Sequence, residues 1–286
     1  MHRSAFVRLC GLVAVFVCTV LTGRADFREH LGLQLYSLRV QFKVNPLTAL
    51  DLAKSYGVTY VETAGTAGMS PEAFLAELQA RGLQPVAAHV SYDALLADPA
   101  AVIAEVKTLG AGFAFVPWIP HEGEFSAEHA RAAGAHFERW GAAFREAGIR
   151  FGYHPHGYEF AAGFAPGSTL FDDMVALTTP ENVCLEMDVF WVVHAGVEPV
   201  ALLDKYADRW VAMHVKDMRR GAPTGLTTGG APATDKVAVG EGQIDIAAVL
   251  RKAQEIGVRY YFVEDETPVP LKTIPASFAW LRQLEL

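Results

Sequence analysis

The chain has 286 residues, is 51% hydrophobic and 20% charged, and carries a formal net charge of −8. That length and apolar fraction suit a large packed core and exclude a disordered or low-complexity chain. An acidic chain without basic clusters is also poorly matched to nucleic acid or anionic membranes, which are bound through Lys and Arg.

The chain opens on what reads as a secretory signal peptide. Arg3 and Arg8 flank the start of an apolar run over 9–21, and Gly23 and Ala25 form a small-x-small exit. The run is too short for an ordinary membrane span. The expected division is a signal peptide over 1–25 and one mature domain over 26–286, periplasmic or secreted, with no membrane contact after cleavage. The mature part keeps 21 basic and 32 acidic residues, a formal −11. Cys10 and Cys18 leave with the signal, so Cys184 has no partner for an intramolecular disulfide and reads as an inert core thiol.

From Gly32 onward one unit recurs: a helix, a glycine or polar turn, then a short apolar strand ending on a polar residue. The first strand spans 32–37. Asn45-Pro46 opens a helix to Gly57, as a capping residue followed by Pro at the first helical position favours. A strand over 58–61 exits at Glu62, and Ser70-Pro71 opens the next helix. The third strand, 83–88, exits at His89, and Asp98-Pro99 opens the third helix. The fourth strand, 113–116, exits at Pro117-Trp118. In the long helix from about Ser126, residues Ala133, Phe137, Trp140, Phe144 and Ala147 recur at helical spacing and predict a core face.

The fifth strand lies in FGYHPHGYEF, residues 151–160, and brings His154, His156 and Glu159 close together. A helix from Ser168 leads to the sixth strand, 183–187, which exits at Asp188. A helix over 199–206 leads to the seventh, 210–213, which exits at His214. Residues 219–239 are rich in Gly, Thr, Ala and Pro and read as a long loop, a type often functional. Asp245 caps a helix to Gly257, the eighth strand spans 260–263 and exits at Glu264, and a helix over 271–284 closes the chain.

Eight strands alternating with helices require parallel pairing. The expected fold is α/β: a (β/α)8 TIM barrel in a single domain. In such a barrel the strand exits converge on one mouth. Those exits carry Gln34, Tyr36, Glu62, His89, Trp118, His154 with His156, Asp188, His214 and Glu264. His154, Asp188, His214 and Glu264 come from four consecutive strands and can surround one ion, with His156 as the alternative strand-five ligand. Imidazole plus carboxylate suits a divalent Mn, Zn, Co or Fe ion. Lys216 shares a strand face with His214.

The ordered set GLQLYSLR, YVET, YHPHGYEF, LEMDVFW, HVKD, VGEGQID and FVED resembles the xylose isomerase-like barrel superfamily of sugar phosphate isomerases and epimerases. It covers essentially the whole mature chain in the order that family has. The resemblance implies a divalent metal held at the mouth by His154, Asp188, His214 and Glu264. It also implies a departure: many isomerising members carry glutamate where this chain carries His154, so their pair of opposed carboxylate bases does not transfer intact.

The expected activity is a metal-dependent isomerase or epimerase acting through an enolate on a non-phosphorylated carbohydrate. Glu264 is the first candidate base and His156 the second, with Lys216 beside the developing enolate oxygen. Gln34, Tyr36, Glu62, His89, Trp118 and Glu159 are the candidate substrate contacts. The alternatives are a keto-sugar lyase or dehydratase of the inosose-dehydratase or keto-glycoside type, and a non-catalytic periplasmic sugar-binding barrel. Metal-dependent nucleic-acid cleavage, known on this barrel, is disfavoured by the acidic charge. The sequence leaves homo-oligomerisation open.

Overall fold

The computed structural model describes residues 26–286, so the expected signal peptide lies outside the described residues. Eight parallel strands close into a barrel: β1 (Leu31–Gln34), β2 (Tyr60–Ala64), β3 (Gln84–His89), β4 (Phe113–Val116), β5 (Arg150–Tyr153), β6 (Val183–Asp188), β7 (Trp210–Val215) and β10 (Tyr260–Val263). A separate antiparallel ribbon pairs β8 (Asp217–Met218) with β9 (Lys236–Val237). Helices connect the barrel strands, and this is a single-domain TIM barrel. Among the described residues no helix is long and apolar enough to cross a membrane.

Strand alternation separates two packed layers. Leu33, Val61, Leu185, Met187, Met213 and Val263 face outward into the main core beneath the helices. Phe113, Phe115, Cys184, Ala212, Tyr260 and Phe262 belong to a smaller buried cluster inside the barrel. There Phe113 stacks on Phe115 and Tyr260 on Phe262. Two glycines make room for these rings. A Cβ on Gly32 would lie 2.9 Å from Phe262, and one on Gly152 would lie 2.8 Å from Phe115. Cys184 is buried in this layer, and burial pushes its thiol up to about 12, so it is an inert core thiol as expected.

The long helix Ala127–Glu146 buries Ala133, Phe137, Trp140 and Phe144, the face its spacing predicts. Each large apolar side chain removed from water contributes about 1.5–3 kcal/mol. Elsewhere boundaries shift. The first strand ends at Gln34, and a 3-10 turn, Leu35–Leu38, leads into a short helix, Arg39–Val44. The Gln34 side chain caps that turn by accepting from the Tyr36 amide. Asp188 likewise caps a short helix, Val189–His194, that the apolar VFWVV run concealed. The stretch over 219–239 folds back through the ribbon, so Lys236 pairs with Met218. Asp217 fixes this return by accepting from the amides of Met218, Gly240, Gly242 and Ile244 at 2.8–3.2 Å. Gly242 leaves space for that carboxylate, because a Cβ there would sit 2.1 Å from it.

Candidate metal centre

The C-terminal strand ends gather a buried polar cluster directly above the aromatic interior. Glu62, Glu186, Asp188 and His214 are wholly buried and His154 nearly so. The register sets His214 beside Asp188 on the neighbouring strand. Period two along β6 turns both Glu186 and Asp188 inward. Burying so many ionisable groups is costly unless they are paired or hold an ion.

The cluster has two tiers that meet at His214. In the outer tier, ligand atoms of Asp188, His214 and Glu264 all lie within 4.8 Å of one another. His214 Nδ1 is 2.9 Å from Glu264 Oε2 and 3.9 Å from Asp188 Oδ2. His154 approaches this tier through Nε2, 3.7 Å from Asp188 Oδ2. In the inner tier, atoms of His89, His154, Glu186 and His214 lie within the same 4.8 Å limit. Three of the four residues expected to hold an ion thus stand together, and His154 bridges to the tier below. His156 belongs to neither tier; it stacks on Trp191 with ring centroids 4.3 Å apart.

Lys216 lies beside the outer tier, its ammonium 3.1 Å from Asp188, 2.9 Å from Glu264 and 2.6 Å from Glu266. Burial opposes its charge, but these carboxylates hold its pKa well above the ordinary lysine value. Burial would likewise raise Glu264, yet Lys216 and His214 hold it well below the ordinary carboxylate value. For His214, burial is outweighed by Glu186, Glu264 and Glu62, and its pKa stands well above that of a free histidine. Burial, reinforced by His214 and His89, drives His154 well below it. Burial and the nearby Glu62 carry Glu186 up to about 7.

Above the cluster lies a cavity of about 490 Å³. Tyr36, Trp118, His156 and Trp191 supply its aromatic wall, and Lys236 and Glu266 line it with Glu264. Tyr36 and Trp118 are 44% and 40% exposed, so each presents a ring to the solvent side. Gly229 of the long loop also lines it and closes against Trp118 and Tyr158. His89 lines it from β3. Gln34 and Glu62 sit lower: Gln34 donates to Glu62 at 2.7 Å, and Glu62 contacts His214 Nε2.

Glu159 is buried off the cavity wall. Its Oε1 accepts from Tyr153 Oη and from the His156 amide, both at 2.7 Å. Burial pushes it up to about 7. A carboxyl group raised in the fold makes the native state bind more protons than the unfolded chain, so stability falls as pH rises from 5 to 8. The contribution is about 3 kcal/mol for a shift of this size. Glu159→Gln keeps an acceptor for both donors and is expected to flatten that slope relative to the parent. Denaturant unfolding across this pH range measures it, and parallel slopes would contradict it.

Four participants escaped the sequence reading: Glu186, Trp191, Lys236 and Glu266. Glu186 was legible, since LEMD places it two residues from Asp188 on one strand face. Lys236 was not, because its position depends on the ribbon formed within an irregular, Gly- and Thr-rich stretch.

A closed parallel barrel with imidazole and carboxylate groups at its C-terminal mouth defines an enzyme-type TIM barrel. The chain belongs to the xylose isomerase-like TIM barrel family, whose model matches residues 50–284. It is similar to inosose dehydratase of Lacticaseibacillus casei, with 26% identity over 157 residues, covering 50% of this chain and 48% of that protein. The chain thus matches about half the length of this curated relative. Among solved structures it resembles a sugar phosphate isomerase/epimerase from Parabacteroides distasonis ATCC 8503, at TM-score 0.70 and 21% identity, covering 91% and 95% of the two chains. It also resembles the IolI protein with a bound zinc atom, at TM-score 0.66 and 17% identity, covering 89% and 95%. A third likeness is to the probable 3-DHS dehydratase AsbF of Bacillus anthracis, at TM-score 0.71 and 12% identity, covering 90% and 100%. These structural likenesses establish the shared fold.

The donors fit a divalent ion. Asp188 Oδ2 is buried without an aligned hydrogen bond, although Lys216 lies within ion-pair range. Glu62 and Glu186 face His214, Asp188 and Glu264 face Lys216, and Glu266 faces both Lys216 and Lys236. Oxygen and imidazole donors converging in this way suit a divalent transition ion.

Proposed function

We propose that this chain is a divalent-metal-dependent enzyme that removes a proton beside the carbonyl of a non-phosphorylated carbohydrate, with isomerisation or epimerisation as the outcome. The observation that carries this reading is the convergence of Asp188, His214 and Glu264 at the base of an aromatic-walled cavity. Asp188, His214 and Glu264 would hold the ion, with His154 completing the set. When bound, the ion supplies Lewis-acid polarisation of a carbonyl oxygen. We further propose that the protein acts in the periplasm or outside the cell, after loss of residues 1–25.

The chain's own groups divide the remaining work. Tyr36, Trp118 and Trp191 offer faces for the apolar C–H surface of a sugar ring. Glu264 is ionised at neutral pH and is the candidate base. Held so low by Lys216 and His214, it is a weak base, so the C–H must be made acidic by the polarised carbonyl. Burial and Lys216 depress His156 to about 3, which keeps it neutral. Lys216, buried beside Asp188 and Glu264 rather than on the cavity wall, is the candidate for offsetting developing negative charge on an enolate oxygen.

A second reading, β-elimination, is favoured by one feature of the wall. Lys236 lines the cavity, lies 5.1 Å over the Trp191 ring and stands 3.6 Å from Glu266. An ammonium there is suited to protonate a departing oxygen. His154 also stands where a second carboxylate base would be needed for proton transfer on the opposite face. The similarity to inosose dehydratase supports this reading too.

Proton NMR in D2O separates the outcomes, using the metal-loaded mature protein with free ketoses and 3-keto-glycosides. Deuterium entering beside the carbonyl without bond loss is the isomerase or epimerase result. Release of water or an aglycone is the lyase result, and Lys236→Met should then slow release by about 10²-fold while C–H exchange continues. Sugar binding without exchange or release would leave only a binding protein and end the enzymatic reading.

A further inference from the structure

We propose that Glu62 and Glu186 are positioning residues that fix which ring nitrogen of His214 and His154 faces the ion. The inference rests on the metal reading above and concerns the tier beneath it. Both carboxylates are wholly buried, on opposite walls of the barrel. Glu62 Oε2 contacts His214 Nε2 at 2.5 Å, and Gln34 donates to the same oxygen at 2.7 Å. Glu186 Oε2 lies 3.0 Å from His154 Nδ1 and 3.0 Å from His89 Nε2.

A carboxylate only accepts hydrogen bonds, so the imidazole nitrogen facing it carries the proton. In a neutral imidazole the other nitrogen then carries the lone pair, which metal coordination requires. Without an ion His214 carries both protons, because Glu264 accepts from Nδ1 at 2.9 Å as Glu62 accepts from Nε2. With the ion bound the two histidines are set in opposite tautomers: His214 keeps its proton on Nε2, and Nδ1 turns its lone pair toward Asp188 and Glu264. His154 is protonated at Nδ1 and presents Nε2 toward Asp188. His89 stacks on His214 with centroids 5.2 Å apart and planes 18° apart, which limits rotation of that ring. The buried negative charge behind each ring also makes the coordinating nitrogen a stronger donor.

The same inner tier can be read instead as the cage of a second ion, built from His89, His154, Glu186 and His214. That reading needs the inner-facing nitrogens as ligands, whereas ours needs them as N–H donors. Zinc binding to the mature protein, measured against a competing chelator, separates the two. One zinc per chain is expected. Glu62→Gln and Glu186→Gln should each weaken its binding by about 10–100-fold at unchanged stoichiometry. Glu62→Asp and Glu186→Asp, which keep the charge, should recover part of the loss.

Nitrogen-15 NMR of the imidazoles in the zinc-loaded parent requires no variant to fold. It should show Nε2–H on His214 and Nδ1–H on His154, with zinc on the other nitrogens. Two zinc ions per chain, or zinc on the inner-facing nitrogens, would overturn the assignment. One zinc bound equally tightly by the parent and both glutamine variants would overturn the positioning role alone. A parent chain that takes up no zinc, manganese, cobalt or iron would remove the metal reading and this inference together.

Discussion

Asp188→Asn is expected to reduce bound metal to background and lower kcat/KM by about 10³-fold, equivalent to roughly 4 kcal/mol of lost transition-state stabilisation. The substitution changes one thing cleanly. Asp188 Oδ1 accepts from the Trp191 amide at 3.0 Å and caps the helix Val189–His194. Asparagine is an equally good cap, so that helix should persist. What is lost is the negative charge on the other oxygen, which faces Lys216, His154 and His214. Metal analysis of the purified variant, with circular dichroism to verify the fold, reads the effect. A correctly folded variant retaining a full equivalent of metal would remove Asp188 from the ligand set.

Lys216→Met is expected to destabilise the metal-free protein by about 3–5 kcal/mol at neutral pH. Removing one partner of a buried ionic network leaves the others uncompensated. Asp188, Glu264 and Glu266 would each lose an ammonium now within 3.1 Å. The pH dependence follows from the signs. Lys216 is raised in the fold, so its contribution is present below the ordinary lysine pKa and lost as pH climbs through the folded value. Glu264 and Glu266 are depressed by Lys216, so their contribution is present above the ordinary carboxylate pKa and lost as pH falls through the folded values. The deficit should therefore be largest in the neutral range and shrink toward both extremes. A divalent ion restores positive charge at the same carboxylates, so saturating metal should raise the variant's melting temperature more than the parent's. Equal stability of parent and variant at pH 7 would show that the network contributes little.

The barrel was legible because its signals are local and repeated. Short apolar strands closed on polar residues, and Asn45-Pro46, Ser70-Pro71, Asp98-Pro99 and Asp245 marked helix starts that the structure keeps. What stayed hidden depends on geometry across the chain. The helix after Asp188 is a fully apolar run and reads equally as strand. The depth of each polar residue was also invisible: Glu62 and Trp118 are both strand exits, yet one lies at the floor and the other at the rim. Glu159 follows the two histidines so closely that it reads as a third site residue, but the Gly157 turn carries it behind Tyr153. Depth is set by strand length and register, which no single segment encodes.

The paired rings beneath the polar tiers have a kinetic consequence. Phe115 and Phe262 fill the barrel interior because Gly32 and Gly152 yield them the space, and the main core surrounds them. The charged cluster therefore sits at the base of a blind well, with the cavity as its approach. On the metal reading, an ion and a sugar share that entrance, and the ion has the deeper seat. Loading is then ordered, ion first and sugar second, and a resident sugar traps the ion beneath it. Chelators should strip the protein slowly when the well is filled and quickly when it is empty.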